Sequence, residues 1–152
     1  MQSAASLPFL RERQFLQAGD MVANIPLPDG SRLYEQITDH LLLAVISTSC
    51  ADCLPALESL EKFANCYTKV NLVILAVTDE SGMEVLQTAF DGIATVYHPP
   101  EHILAEELQI QGYPWAYGIN ARGQVVTSGH CGRVAWIERL LEPFEECLGS
   151  LR

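Results

Sequence analysis

The residues whose types and spacing best suit chemistry are Cys50 and Cys53, which bracket Ala51 and Asp52. Two thiols at that spacing, at the start of a helix, can close a disulfide without disturbing the fold around them. There the first sulfur is expected near unpaired N–H groups and the positive end of the helix dipole, which favour the nucleophilic thiolate form of Cys50. Cys53, one turn further in, is placed to attack a mixed disulfide formed on Cys50. The two intervening residues, Ala51 and Asp52, are expected to tune the pair. Asp52 sets a negative charge beside the thiolate and opposes the dipole, which disfavours the reduced thiolate form and makes the pair a reductant. Zinc sites share the spacing but need two further ligands. Cys66, Cys131 and Cys147 form no second pair, and Pro99 and Pro100 keep His98 and His102 off one regular helix. No metal is expected.

A redox pair of this kind should stand where a buried strand gives way to a helix, and the flanking pattern supplies both. Leu41 to Ser47 is a short, unbroken apolar run, as expected of a strand covered on both faces. Leu54, Leu57, Leu60 and Phe63 then recur every three residues, a helical stripe. Val70 to Val77 reads as a second strand. Ser81-Gly82-Met83-Glu84 matches a capping box, with Met83, Leu86 and Phe90 on one helical face. Ile93 to Tyr97 is a short strand candidate, and Pro99-Pro100 can open a helix bearing Leu104 and Leu108. Pro114 to Ile119 and Gln124 to Thr127 flank a hairpin turn at Asn120 to Gly123. Val134, Ile137, Leu141, Phe144 and Leu148 form a closing helical stripe that Pro143 should split near Arg139. Strand–helix–strand implies a parallel crossover, and the later hairpin adds antiparallel strands, so the class is α/β with a mixed central sheet flanked by helices.

The chain has 152 residues, enough for one domain, expected over 19–152 behind an arm over 1–18. Nine basic residues against nineteen acidic give a formal charge of −10, which works against nucleic acid and anionic membranes as partners. The longest apolar run, Leu41 to Ile46, has six residues, far short of a membrane span. Arg11, Glu12 and Arg13 interrupt the only apolar stretch near the start, so no secretory signal is read there.

The order of elements, Cys50-Ala51-Asp52-Cys53 and the later Gly112-Tyr113-Pro114 together resemble the thioredoxin superfamily. Gly19-Asp20-Met21 through Leu27-Pro28-Asp29-Gly30-Ser31 resembles the N-terminal hairpin extension of its TlpA/ResA-like branch. Ser47-Thr48-Ser49 leading into the cysteines is similar to the MauD-like thiol-disulfide oxidoreductases. The resemblance spans roughly 19–148 and implies a thioredoxin-like fold. It also implies that Pro114 is a cis proline facing the disulfide and that Tyr113 offers backbone hydrogen bonds to a bound substrate chain. Three positions depart from the pattern. Ser49 stands where tryptophan is frequent, Ala56 where many ResA-like proteins carry an acid, and Ala44 where thioredoxin buries an aspartate. Asp52 is then the nearest carboxylate.

The expected function is thiol–disulfide exchange with a protein or peptide disulfide, with a second redox protein to recharge the pair and no cofactor. Two alternatives stand beside it. One is a peroxiredoxin-like peroxidase, for which Ser47 fits the hydroxyl position but the upstream proline is missing. The other is a non-catalytic module that binds a partner chain near Pro114. Cys66, Cys131 and Cys147 read as packing residues, with a regulatory thiol at Cys131 as the alternative. Trp115 reads equally as groove wall or core, and His40 and His98 read as surface or loop histidines. Glu138, Glu142, Glu145 and Glu146 read as a solvated helix face. The resemblance places the native protein outside the cytoplasmic membrane on an N-terminal tether, whereas the chain read literally is cytoplasmic.

Overall fold

One strand organises the fold. In the computed structural model, which describes residues 14–148, β1 (His40–Ser47) is buried along its whole length. It lies between β2 (Leu72–Val77), which runs parallel to it, and β4 (Trp115–Asn120), which runs antiparallel. With β3 (Thr95–Tyr97) and β5 (Val125–Gly129) the order is β3-β2-β1-β4-β5, the mixed sheet that the sequence predicts.

Alternation along β1 feeds two cores. Leu42, Ala44 and Ile46 face one core with Leu60 and Phe63 of α1 (Cys53–Cys66) and Ile137 and Leu141 of α4 (Val134–Leu141). Leu41, Leu43 and Val45 face the other with Leu33, with Leu104 of α3 (Glu101–Glu106), and with Leu108. Each fully buried leucine or isoleucine contributes about 1.5–3 kcal/mol over an exposed one. A strand covered on both faces therefore needs the unbroken apolar run that Leu41 to Ile46 provides.

Local chemistry fixes the ends of the elements. The α2 helix (Glu80–Ala89) starts before the predicted Ser81 cap, because the Asp79 carboxylate accepts the Gly82 N–H at 2.7 Å. Pro143 splits the C-terminal helix as expected, although the break falls after Leu141. A 3-10 turn, Glu142–Phe144, then leads into α5 (Glu145–Leu148). At the β4–β5 hairpin the Asn120 carboxamide oxygen accepts the N–H groups of Arg122 and Gln124, each at 3.0 Å, and Gly123 takes φ +86°. The N-terminal hairpin is short. Leu27 N–H donates to Ser31 O at 2.8 Å and Pro26 bridges Arg32, after which the chain turns into the 3-10 segment Leu33–Gln36.

Residues 1–13 of the expected arm lie outside the described residues. Phe15 stacks on Trp115 at 3.8 Å, and Leu16 is buried. His40 is not the surface histidine that the sequence suggests, because it is fully buried as the first residue of β1. Its Nε2 accepts the Asn71 N–H at 3.0 Å, and its Nδ1 lies 2.6 Å from Asp39 Oδ1. Both ring nitrogens are thus satisfied, which is what permits its burial. His98 does occupy an exposed loop position, with Nδ1 donating to Ala76 O at 2.8 Å. Glu138, Glu142, Glu145 and Glu146 are exposed, as expected.

Tyr117 provides a test of this packing. Its buried hydroxyl donates to Leu108 O at 2.8 Å and accepts the Leu16 N–H at 3.0 Å. Tyr117→Phe strands both buried backbone groups and should cost about 1–3 kcal/mol in urea unfolding, with the native fold retained by circular dichroism.

Candidate active site

The site forms where β1 leaves the core. Ser47 ends the strand, Thr48 to Asp52 form turns, and α1 begins at Cys53 with Asp52 at its N-cap. Pro55 falls in the first helical turn, where its missing N–H has no helical partner to lose. Cys50 therefore sits in the turn ahead of the helix and is not itself helical, while its carbonyl accepts the Cys53 N–H at 3.2 Å. Thr48 ties the turn to β2: its N–H donates to Val77 O at 3.0 Å and its hydroxyl to Thr78 Oγ1 at 2.9 Å.

The two thiols sit in different surroundings. Cys50 is half-buried and Cys53 is buried, and neither is bridged. Cys50 Sγ donates to the Tyr113 carbonyl at 3.4 Å, and the Tyr113–Pro114 peptide is cis. Pro114 is buried, Tyr113 half-buried, and Ala51 and Asp52 exposed. The expected site residues Cys50, Cys53, Tyr113 and Pro114 thus converge, with Ala51 and Asp52 on the solvent side. Burial pushes the Cys53 thiol up to about 12, and its hydrogen bond with Cys50 adds to the rise. The Ser47 N–H, donated to Cys53 Sγ at 3.4 Å, works the other way. Ala44 and Ala56 pack in the same core as Cys53.

Ser47 and Glu101 take parts in the site that the sequence does not assign them. Ser47 turns its hydroxyl to Ser49, with Oγ···Oγ at 3.0 Å, and also accepts the Ser49 N–H at 3.3 Å. That hydroxyl is engaged with Ser49 rather than directed at Cys50, as the peroxidase alternative would require. Glu101 accepts the Tyr113 hydroxyl proton at 3.2 Å. Burial, reinforced by that carboxylate, pushes the Tyr113 phenol up to about 12. The sequence marks Ser47 through its lead-in to the cysteines and as the peroxidase hydroxyl position, but not its N–H contact with Cys53. Nothing in the sequence linked Glu101 to Tyr113.

Among the other thiols, Cys131 is fully buried in the same core as Cys53, and burial pushes it up to about 12. Cys66 ends α1, half-buried. Cys147 lies beside Asp39, and burial followed by that carboxylate raises its pKa. Asp39, His40 and Cys147 bring ligand atoms within 4.8 Å of one another. The Asn71 N–H donated to Nε2 nevertheless puts the ring proton on Nδ1, where it serves Asp39. A cation on Nδ1 would need that proton displaced and would leave Nε2 facing a donor, so the trio fits a hydrogen-bonded strut and not a metal centre. Trp115 packs on Phe15 and donates its Nε1–H to Ser128 Oγ at 2.9 Å.

Comparison with known proteins gives the class by fold. No family model matches the chain, and no curated protein matches it in sequence. Solved structures do. A Chlorobium tepidum protein assigned as the thiol:disulfide interchange protein DsbE superposes with TM-score 0.63 at 18% identity, covering 88% of this chain and 99% of that one. The thiol peroxidase of Chromobacterium violaceum gives 0.65 at 14% identity, covering 88% and 90%. The exposed lipoprotein thioredoxin of Streptococcus pneumoniae gives 0.54 at 17% identity, covering 75% and 89%. The chain therefore has a thioredoxin-like fold, similar to that of thiol:disulfide interchange proteins, with Cys50 and Cys53 close together at the end of its central strand.

The asymmetry of the thiols predicts both reactivity and pH dependence. Iodoacetamide should label Cys50 first in the folded, reduced protein, with Cys53 and Cys131 labelled only on unfolding, as read by peptide mass spectrometry. Cys53 and Cys131 rise from 9.0 to about 12 on folding, so the unfolded chain sheds these protons first. The stability tied to them is whole below pH 9.0 and is lost as pH rises toward about 12. Urea unfolding of reduced protein at about pH 8 and about pH 10.5 should show the loss, and Cys131→Ala should make it shallower.

Proposed function

We propose that the chain is a thiol–disulfide oxidoreductase that exchanges electrons with disulfides of partner proteins through Cys50 and Cys53. The observation that carries this reading is a half-exposed Cys50 thiol set 3.4 Å from the carbonyl before Pro114, with a buried thiol one turn behind it. In the reducing direction, the Cys50 thiolate attacks one sulfur of a partner disulfide. The S–S bond breaks, the other partner sulfur leaves as thiolate, and a mixed disulfide forms. Cys53 then gives up its proton and attacks Cys50 Sγ. The second partner thiolate departs and the Cys50–Cys53 disulfide remains, so two electrons have passed to the partner. A second redox protein restores the dithiol, and the reaction calls for no metal, nucleotide or flavin. Tyr113 holds the substrate chain through its backbone beside Pro114.

Asp52 supports the reductant direction. It is exposed at the N-cap of α1 and makes no capping hydrogen bond, so its charge sits at the helix start and works against a thiolate there. The exposed Leu54, 65% accessible, adds apolar surface one residue beyond Cys53 for a partner to cover. The resemblance to the TlpA/ResA-like branch, together with the shared fold of the pneumococcal lipoprotein thioredoxin, favours work outside the cytoplasmic membrane on an N-terminal tether. Among the described residues, no helix is long and apolar enough to cross a membrane.

The decisive experiment separates the two thiols. Cys50→Ser should abolish insulin reduction, whereas Cys53→Ser should accumulate a covalent complex with its partner that dithiothreitol releases. Cys66→Ser, Cys147→Ser and Cys131→Ala should leave turnover nearly intact. Trapping by Cys50→Ser would overturn the assignment, and rapid consumption of hydrogen peroxide by the purified protein would favour the peroxidase reading instead. A glutathione titration should place the pair nearer the thioredoxin value of about −270 mV than the DsbA value of about −120 mV, and Asp52→His should raise it.

A further inference from the structure

We propose that the outer edge of β5, with the cavity between it and α4, binds an extended acidic segment of a partner polypeptide. The cavity, about 460 Å³, is lined by Thr127 to His130 together with Trp136 and Arg139. β5 is an edge strand. The N-terminal segment covers only its start, where Gly19 N–H donates to Val125 O and Val125 N–H to Asp20 O, each at 2.8 Å. From Val126 to Gly129 no backbone partner lies on the outer side among the described residues. A half-exposed edge of this kind is a template for an added strand.

The polar groups around the cavity select for charge. His130 Nδ1 accepts the Gly132 N–H at 2.9 Å, so its proton sits on Nε2 as a donor. Thr127 faces α4, its hydroxyl donating to Leu140 O at 2.7 Å, whereas Ser128 turns its hydroxyl to Trp115 on the opposite face of the sheet and lines the cavity through its backbone. Arg139 is exposed on α4, and the only ion pair among the described residues is His40–Asp39. His130 and Arg139 are thus the side-chain donors facing the cavity, and no carboxylate lines it, a wall that suits an anion. Trp136 is already positioned, with the Arg133 guanidinium 5.2 Å from its ring centroid and His130 edge-on at 5.1 Å. Arg139 is the one charged side chain in that lining, with exposed Glu138 and Glu142 near it in the chain but outside the cavity. The open strand edge calls for a backbone partner, and the donor set calls for carboxylate side chains on it. The chain's own residues 1–13, with two arginines and one glutamate, match that charge poorly.

The probe is a fluorescent, cysteine-free peptide of alternating glutamate and valine, compared with its glutamine counterpart by anisotropy on the full chain. An exposed arginine–carboxylate contact predicts about fivefold tighter binding of the glutamate peptide, a preference that Arg139→Gln erases. N-methylation of alternate peptide amides should abolish binding, and Trp136→Ala should weaken it. Cys50→Ser should leave it unchanged, which keeps this test separate from the redox reading. Equal affinity for the two peptides, insensitivity to Arg139→Gln, loss of binding in Cys50→Ser, or displacement by a synthetic peptide of residues 1–13 would each overturn the proposal.

Discussion

A strand buried on both faces and on both edges has no solvent to satisfy its backbone, so every amide and carbonyl must pair until the strand stops. β1 meets that requirement between β2 and β4, with Leu42 to Ser47 in register with Leu72 to Val77 and His40 to Val45 with Asn120 to Trp115. Side chains on its two faces seal separate cores, and the helices take their places from those cores. Where β1 ends is therefore not free to vary. Its exit at Ser47 dictates where the following turn emerges, and with it the depth of each cysteine sulfur.

That geometry makes two identical side chains unequal. Only two residues separate Cys50 from Cys53, yet one is half-exposed and the other lies in a core with Ala44, Ala56 and Phe63. Ionising the inner thiol in that setting is expensive, because negative charge leaves water for apolar surroundings with no positive charge among the causes of its shift to compensate. On the proposed reaction, the outer sulfur can meet a partner while the inner one stays protonated and unreactive toward solvent oxidants. Ala44 and Ala56, in the same core, add no titratable group beside Cys53.

Much of this was legible in the sequence because the signals were local. The run Leu41 to Ser47, the Cys50–Cys53 spacing, the Asn120–Gly123 turn and the break at Pro143 each depend on a few consecutive residues. What was missed depends on pairings distant in the chain. His40 looks like a loop residue until Asn71, thirty-one positions later, supplies the N–H that makes burial affordable. Glu101 gains meaning only when β4 brings Tyr113 beside it. The α2 cap was misplaced because Asp79 and Ser81 are both good caps, and the capping-box spacing favoured Ser81 over the carboxylate that in fact reaches Gly82. The depth of Cys53 was legible as a trend, one turn in from Cys50. Its cause, two cores meeting on one strand, was not.

The two ends of β1 show how the same strand can be rigid at one end and reactive at the other. At His40 the polar groups are held by strong nitrogen and oxygen partners. Asn71 Nδ2 donates to Gln36 O at 2.7 Å and His40 O at 2.9 Å, and its backbone N–H holds the imidazole. At Ser47 the last backbone N–H of the strand meets a thiol instead, at 3.4 Å. Sulfur is a weak acceptor, so this contact contributes less than an amide–carbonyl bond in the neutral state. It strengthens when the acceptor carries charge. A donor that gains most when Cys53 is thiolate stabilises the attacking form more than the resting one. In this site, where neither Ala44 nor Ala56 can take up a proton, the Ser47 amide is the group positioned to lower the barrier that burial raises.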